Sequence, residues 1–394
     1  MRRLWSFLLI LSLSLAISLP VQAATCADDQ RPAATLLLPY FEVDPLHASK
    51  VNTVMTITNA DHQPVIAQVV IWSEFSIPVL VFQVYLTSHD LQRVNLRNVL
   101  NGSLPATVPD TILYPSCPPT LPAINPSLPP LVPYLRDALS GLPVMLAGSP
   151  TPRIFGLNRR DGIARGYVTV DAMNFCTLDF PGDTGFFING GAGAGSNRNV
   201  LFGDYFHVNS SLGRAEGYKL LALEADNALG ASDYTFWYRF SSGADNREPL
   251  GATHAIRYIV SPLSPPTEIH YWRDPKRTTN PLAVGTVPPW YPLDESEIVV
   301  FDEQDNVALI IGPNPFPLAA GKAVVGTEIP TPFAAGWIYL NLNVAVPGSL
   351  VPFEPVAQST VAYTLPVSGG LTVGMEGTTF TTACDPPAPP IPLP

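Results

Sequence analysis

The amino-acid sequence predicts an all-β fold made of one or two antiparallel β-sandwich units with Pro-rich and Gly-rich loops. Short runs of apolar and β-branched residues recur along the chain, separated by turn residues. Proline accounts for 44 of 394 residues, a high share that disfavours long helices. Apolar residues make up 46% and charged residues 13% of the chain, so it can bury a sizeable core.

The first 23 residues have the pattern of an export signal. Arg2 and Arg3 precede a run dominated by Leu and Ile, and Ala23 supplies a small residue at the cleavage position. The alternative is a membrane anchor, but serines interrupt the run and it is short for a bilayer of about 30 Å. We therefore expect residues 1–23 to be a signal peptide, and the mature protein to be secreted or periplasmic in a bacterium.

Charge and hydropathy limit the partners of the mature chain. Removal of 23 residues leaves 371, with 19 basic and 32 acidic side chains and a net charge of −13. Such a chain repels phosphate backbones, so no nucleic-acid partner is expected. No later stretch is apolar for long enough to span a bilayer, so no integral membrane segment is expected after processing.

Four cysteines remain after processing: Cys26, Cys117, Cys176 and Cys384. None forms a CxxC pair, so structural disulfides are favoured over a metal or redox site in an oxidising compartment. Three connectivities are possible. We favour Cys26 with Cys384, which would join the two ends of the fold, and Cys117 with Cys176.

Residues 24–114 read as an N-terminal β-sandwich domain. Apolar residues alternate with polar ones in 51–58, which predicts a half-buried strand, whereas 65–72 is apolar on both faces and predicts an interior strand. This succession of strands is similar in architecture to an immunoglobulin-like sandwich. It does not identify a family.

The remaining chain divides by composition. Prolines dominate 115–150, which predicts a linker or long loop with one helical turn at Tyr134–Leu139. Residues 151–385 read as a C-terminal β-rich domain, and 386–394 as a Pro-rich tail. A glycine-rich stretch within 182–199 predicts a mobile or tightly turning loop. Among the strands predicted in the C-terminal domain are Glu297–Phe301, Val307–Ile311, Trp337–Asn343 and Leu371–Phe380.

The sequence contains no motif that requires a nucleophile, a metal or a cofactor, and we expect no cofactor. The glycine-rich stretch lacks the Gly-Lys-Ser/Thr ending of a phosphate loop, and no Gly-x-Ser-x-Gly elbow occurs. The six histidines are scattered. His207 is the one of most interest, because an acid and aromatic residues flank it.

Carboxylates near strand ends supply candidates for a glycosidase-like pair, which needs two acids about 5–10 Å apart. Strand spacing cannot show that separation. Residues 302–306, Asp-Glu-Gln-Asp-Asn, predict a hairpin turn, with a calcium site as the alternative. The candidate acids are Asp204, Glu224, Asp226, Glu248, Asp274 and Asp302.

Two further segments combine charge with aromatic rings. Trp272, Arg273, Trp290 and Tyr291 are the candidate ligand-binding residues, because flat aromatic faces suit sugar rings or the side chains of a partner. The alternative is that arginine–carboxylate pairs merely fix loops, as we also consider for Arg247.

These observations favour a secreted, non-catalytic β-sandwich protein with a surface, structural or ligand-binding role, whose partner is a glycan or another envelope protein. The alternative is an extracellular hydrolase that acts on polysaccharide through a pair of carboxylates.

Overall fold

Antiparallel β-sheets make up almost all of the regular secondary structure described for this protein. The computed structural model describes residues 31–106, 128–145, 151–262, 264–275, 287–288, 290–293, 296–342, 358–367 and 371–381. Strands account for 44% of these residues and helices for 6%, which confirms the predicted all-β sandwich-type fold. The predicted signal peptide 1–23 and the tail 386–394 lie outside the described residues.

The strands have the following bounds. They are β1 Thr35–Val43, β2 Val51–Asn59, β3 Val65–Ser73, β4 Pro78–Leu86, β5 Leu91–Asn95, β6 Ala164–Met173, β7 Leu201–Phe202, β8 Asp204–Asn209, β9 Arg214–Lys219, β10 Leu221–Leu223, β11 Thr253–Ile259, β12 Glu268–Arg273, β13 Glu297–Asp302, β14 Val307–Leu309, β15 Ala320–Val324, β16 Ala335–Asn341, β17 Ser359–Pro366, β18 Thr372–Glu376 and β19 Thr378–Thr381. The helices are α1 Leu96–Leu100, α2 Leu128–Leu139 and α3 Tyr238–Ser241. Among the helices in these ranges, none is long and apolar enough to cross a membrane.

The strands form four sheets. Sheet I has the order β10-β1-β6-β3-β4, and sheet II the order β5-β2-β8-β9, with β7 also paired to β2. Sheet III has the order β15-β12-β17-β18, and sheet IV the order β14-β13-β16-β11-β19. Sheet I contacts sheet II through β1 and sheet III through β1 and β6, while β11 and β17 join sheets III and IV.

Sheet I is buried on both faces. Every residue of β3 and β6 is buried, as predicted for 65–72. Val69 and Ile71 face the main core, whereas Val70 and Trp72 face a second cluster that Phe236 and Trp237 cover. Full burial of a large apolar side chain contributes about 1.5–3 kcal/mol, so the fully buried β3 and β6 contribute strongly to stability.

A register shift in β1 turns a charged residue toward the neighbouring sheets. The pairing of β1 with β6 is irregular between Leu38 and Phe41, around Pro39, which has no N–H for the ladder. Leu38 and Phe41 therefore both face the main core. Glu42 consequently points to the opposite side, toward sheet III.

Sheets I and II take strands from both sides of the predicted boundary at 115–150. Strand β6 lies between β1 and β3, and β8 pairs with β2. Within the predicted linker, 128–139 forms a three-turn helix rather than a single turn. Its residues Leu135, Ala138 and Leu139 are buried in the main core, so this part of the Pro-rich segment is a packed element.

Arg247 holds the glycine-rich stretch in place. Its side chain is fully buried, and it donates to Asn197 Oδ1 (2.7 Å), to the Ser196 carbonyl (2.8 Å) and to Thr35 Oγ1 (2.8 Å). Thr35 in turn donates to Asp171 Oδ1 at 2.5 Å. Burial lowers the pKa of Arg247, and the charges of Asp171 and Asp245 counteract that shift. The stretch is thus a tightly turning loop fixed by an arginine.

We expect Arg247→Met to destabilise the protein by about 3–5 kcal/mol, because it leaves buried carboxylates without their counter-charge. The measurement is the urea midpoint at neutral pH. Arg257→Met, at an exposed position of β11, is the matched control and should change stability by less than about 0.5 kcal/mol. Equal effects of the two substitutions would contradict the role given to Arg247.

Candidate functional site

Trp272 and Arg273 lie inside the protein. Their exposed fractions are 1% and 5%. The Trp272 ring stacks on Phe236 with 5.1 Å between centroids, and Arg273 donates to the carbonyls of Phe316 (2.6 Å) and Leu342 (3.0 Å). Neither side chain offers a face to a ligand in this arrangement, which favours the structural interpretation of this segment.

Trp290 and Tyr291 pack against Phe75 in the turn that follows β3. Trp290 is 7% exposed, and its indole N–H donates to the Phe75 carbonyl at 2.9 Å. The half-buried Tyr291 ring lies 4.4 Å from that of Phe75. Contacts within the protein therefore occupy the aromatic surfaces of Trp272, Trp290 and Tyr291.

Main-chain pairing brings two candidate acids together, since the Glu248 N–H donates to the Glu224 carbonyl at 2.9 Å, and Asp226 lies in the same ladder. The other three lie on separate elements. Asp204 lies on β8, Asp302 ends β13, and Asp274, which follows β12, forms an ion pair with Arg239 at 2.8 Å. The Asp302 carboxylate accepts hydrogen bonds from the backbone of Gln304 and Asn306, which confirms the predicted hairpin turn. Within the described residues, no group of three or more His, Cys, Asp or Glu side chains is arranged to hold a metal ion.

Cys176 is the cysteine that lies within the described residues. It is half-buried beside the cluster formed by Ile66, Tyr85 and Phe186, and it is disulfide-bonded. Cys26, Cys117 and Cys384 lie outside those residues, so both predicted pairings stay predictions.

Ion pairs join the sheets around Glu42. Its carboxylate lies 3.0 Å from Arg165 Nε on β6 and 3.1 Å from Lys322 Nζ on β15. Burial alone would raise the pKa of Glu42, but Lys322 and Arg165 hold it far below its ordinary value. Lys322 also lies 3.5 Å from Glu268 on β12. We call this region, with His207 and His270, the three-sheet junction.

Two histidines complete the three-sheet junction. The rings of His207 on β8 and His270 on β12 lie 4.9 Å apart in a T-shaped arrangement. His207 Nδ1 is 3.0 Å from Thr53 Oγ1, whereas His207 Nε2, His270 Nδ1 and the Tyr218 hydroxyl are buried without a partner in the described structure. Burial lowers the pKa of His207 to about 4 and that of His270 well below its ordinary value. Both imidazoles are therefore neutral at neutral pH.

Aromatic side chains line the face of sheet IV that points away from the main core: Phe301 and Trp337 are half-buried, and Tyr339 is 8% exposed. In β16, Ile338 and Leu340 face the main core, so Trp337 and Tyr339 point to the opposite side. Phe301 of β13 lies directly opposite Trp337, with parallel rings and 4.1 Å between centroids.

A fourth ring extends this surface at the edge of the sheet. Phe380 of β19 lies 6.4 Å from Trp337 and 5.9 Å from Tyr339, and it is 53% exposed. We call Phe301, Trp337, Tyr339 and Phe380 the aromatic patch. Sequence reasoning missed it, although the period-two alternation in 337–343 was a usable signal. The pairing that joins strands far apart in the chain carries no such local signal.

No family model, no curated protein and no solved structure matches this chain.

We expect the unfolding free energy to fall as the pH drops from 6.5 toward 4. His207, His270 and His254, whose pKa burial lowers to about 3, bind protons in the unfolded state at a pH where the folded state does not. At about 1.4 kcal/mol per pKa unit, His207 alone contributes about 3 kcal/mol. Burial raises the pKa of Asp171 to about 6, which acts in the opposite sense and offsets part of this loss.

Urea midpoints at several pH values between 4 and 7 measure this dependence. His207→Gln should flatten it, whereas His62→Gln, at an exposed position, should not. A dependence that His207→Gln leaves unchanged would contradict the role assigned to this side chain.

Proposed function

We propose that this protein is exported and acts outside the cytoplasm as a non-catalytic β-sandwich that recognises a protein partner through the aromatic patch. The observation that carries the proposal is the placement of four aromatic rings on the outer face of sheet IV. The opposite face of the same strands already supplies the core. Phe380 is 53% exposed, Phe301 and Trp337 are half-buried, and Tyr339 is 8% exposed, so the surface that the patch offers comes from Phe380 and the half-buried pair. Aromatic residues are enriched at recognition surfaces.

Export is supported by the pattern of the first 23 residues. It is supported further by the disulfide at Cys176, since disulfides persist in oxidising compartments. The secreted or periplasmic location and the two cysteine pairings are parts of this proposal.

The geometry of the patch favours a protein partner over a glycan. Phe301 and Trp337 are parallel at 4.1 Å, so each ring covers one face of the other. Stacking on a sugar needs an open face, whereas a protein side chain can pack against ring edges. The exposed Arg257, opposite Trp337 on β11, adds a charged neighbour, and interfaces are enriched in arginine beside aromatic residues.

We expect a photo-crosslinking amino acid at position 380, in the cells that produce the protein, to yield a discrete crosslinked species. Trp337→Ala in that background should reduce its yield about tenfold, as loss of a central aromatic contact does. The same crosslinker at Leu212, which is 60% exposed on the turn between β8 and β9, is the control and should give no such species. Equal yields at both positions would contradict the proposal.

Assays on glycans test the other two interpretations. If the protein binds glycans on an array and Trp337→Ala abolishes that binding, the partner is a carbohydrate and not a protein. If the protein hydrolyses a polysaccharide and a single Asp→Ala or Glu→Ala change abolishes that activity, its function is hydrolysis and not binding alone.

A further inference from the structure

Strand β14 is an edge strand whose outward main chain is open. Its inward side pairs with β13: the Ile310 N–H donates to the Ile298 carbonyl at 3.0 Å, and Asp302 and Asn306 are joined in the same ladder. Main-chain groups alternate between the two sides of an antiparallel strand. The N–H and C=O groups of Val307, Leu309 and Ile311 therefore point away from sheet IV, and none of them has a hydrogen bond within the described structure.

The side chains on this edge are apolar and exposed. Val307, Leu309 and Ile311 are 37%, 43% and 87% exposed. A cavity of about 180 Å³ lies beside them, lined in part by Leu309, Ile311 and Pro313. The edge therefore combines unpaired main chain with apolar surface, which is the combination that pairs with another strand.

Two other edge strands of the same protein carry charges that β14 lacks. Edge strand β5 contains Arg93, and β9 contains Arg214 and Lys219. Charged side chains at an edge discourage pairing between molecules. The run 307–311, Val-Ala-Leu-Ile-Ile, has no charge and no proline.

We propose that β14 pairs with β14 of a second copy of this chain, antiparallel and centred on Leu309. In that register Leu309 lies opposite its own copy and Val307 lies opposite Ile311, which allows about six main-chain hydrogen bonds. Pro313 ends the paired stretch, since it cannot donate to a ladder. A two-fold axis then joins two five-stranded sheets into one.

Acidic residues near β14 favour antiparallel over parallel pairing of two copies of this chain. Glu303 and Asp305 lie in the turn that precedes β14. In the antiparallel register they lie nearest the neutral residues 313–315 of the other copy, whereas a parallel arrangement would align acids with acids. The edge is thus complementary to itself in one orientation. The inference does not depend on the aromatic patch, whose rings lie on the face of the sheet.

Sedimentation of the purified mature protein from about 1 to 200 µM tests the pairing, since so short an interface is expected to be weak. A reversible dimer is expected. The double substitution Leu309→Lys, Ile311→Lys should weaken it at least about tenfold by placing like charges opposite each other. Leu212→Lys, an equally exposed apolar position elsewhere, is the matched control, and Trp337→Ala should leave the dimer intact.

A second measurement tests the register without relying on affinity. Leu309→Cys should oxidise to a covalent dimer, because the Cα atoms of directly opposed residues lie about 5.5 Å apart. Glu303→Cys should form no covalent dimer. A monomer at every concentration, a dimer that the double Lys variant retains, or crosslinking of position 309 only to a different protein would overturn the proposal.

Discussion

The burial of sheet I on both faces is the constraint on which the rest of this structure depends. A sheet with no face toward water needs cover on each side, and here sheet II provides one cover while sheet III and the aromatic loops provide the other. The cover comes from segments far apart in the chain. The glycine-rich stretch and the helix at 128–139 are therefore packed elements, whose own positions follow from the sheet that they enclose.

Charged side chains enter this interior only in neutralised groups. Arg247 binds the loop that covers sheet I, and Glu42 is shared by Arg165 and Lys322 from neighbouring sheets. Desolvation makes such groups expensive, so their value lies in fixing one arrangement of sheets rather than in net stability. Desolvation also explains why the imidazoles of the three-sheet junction are neutral, because a low dielectric favours their uncharged form.

The contrast between interior and surface explains the functional interpretation. Several of the chemistry-bearing side chains that stand out in the sequence, such as Trp272, Arg273 and Asp274, are engaged inside the protein. Asp204 and Asp226 are exposed. The surfaces on which our two proposals rest are the aromatic patch on the face of sheet IV and the open edge at β14.

Periodicity and composition determined the all-β class, the interior strand at 65–72, the strands that contain 297–301 and 337–341, and the hairpin turn at 302–306. These features follow from local chemistry: side chains alternate with period two, and turn residues interrupt the strands. Only the tertiary structure decided that β6 lies between β1 and β3, that Trp272 faces inward and that Trp337 faces outward. Alternation separates the two faces of a strand, but long-range pairing decides which face meets water.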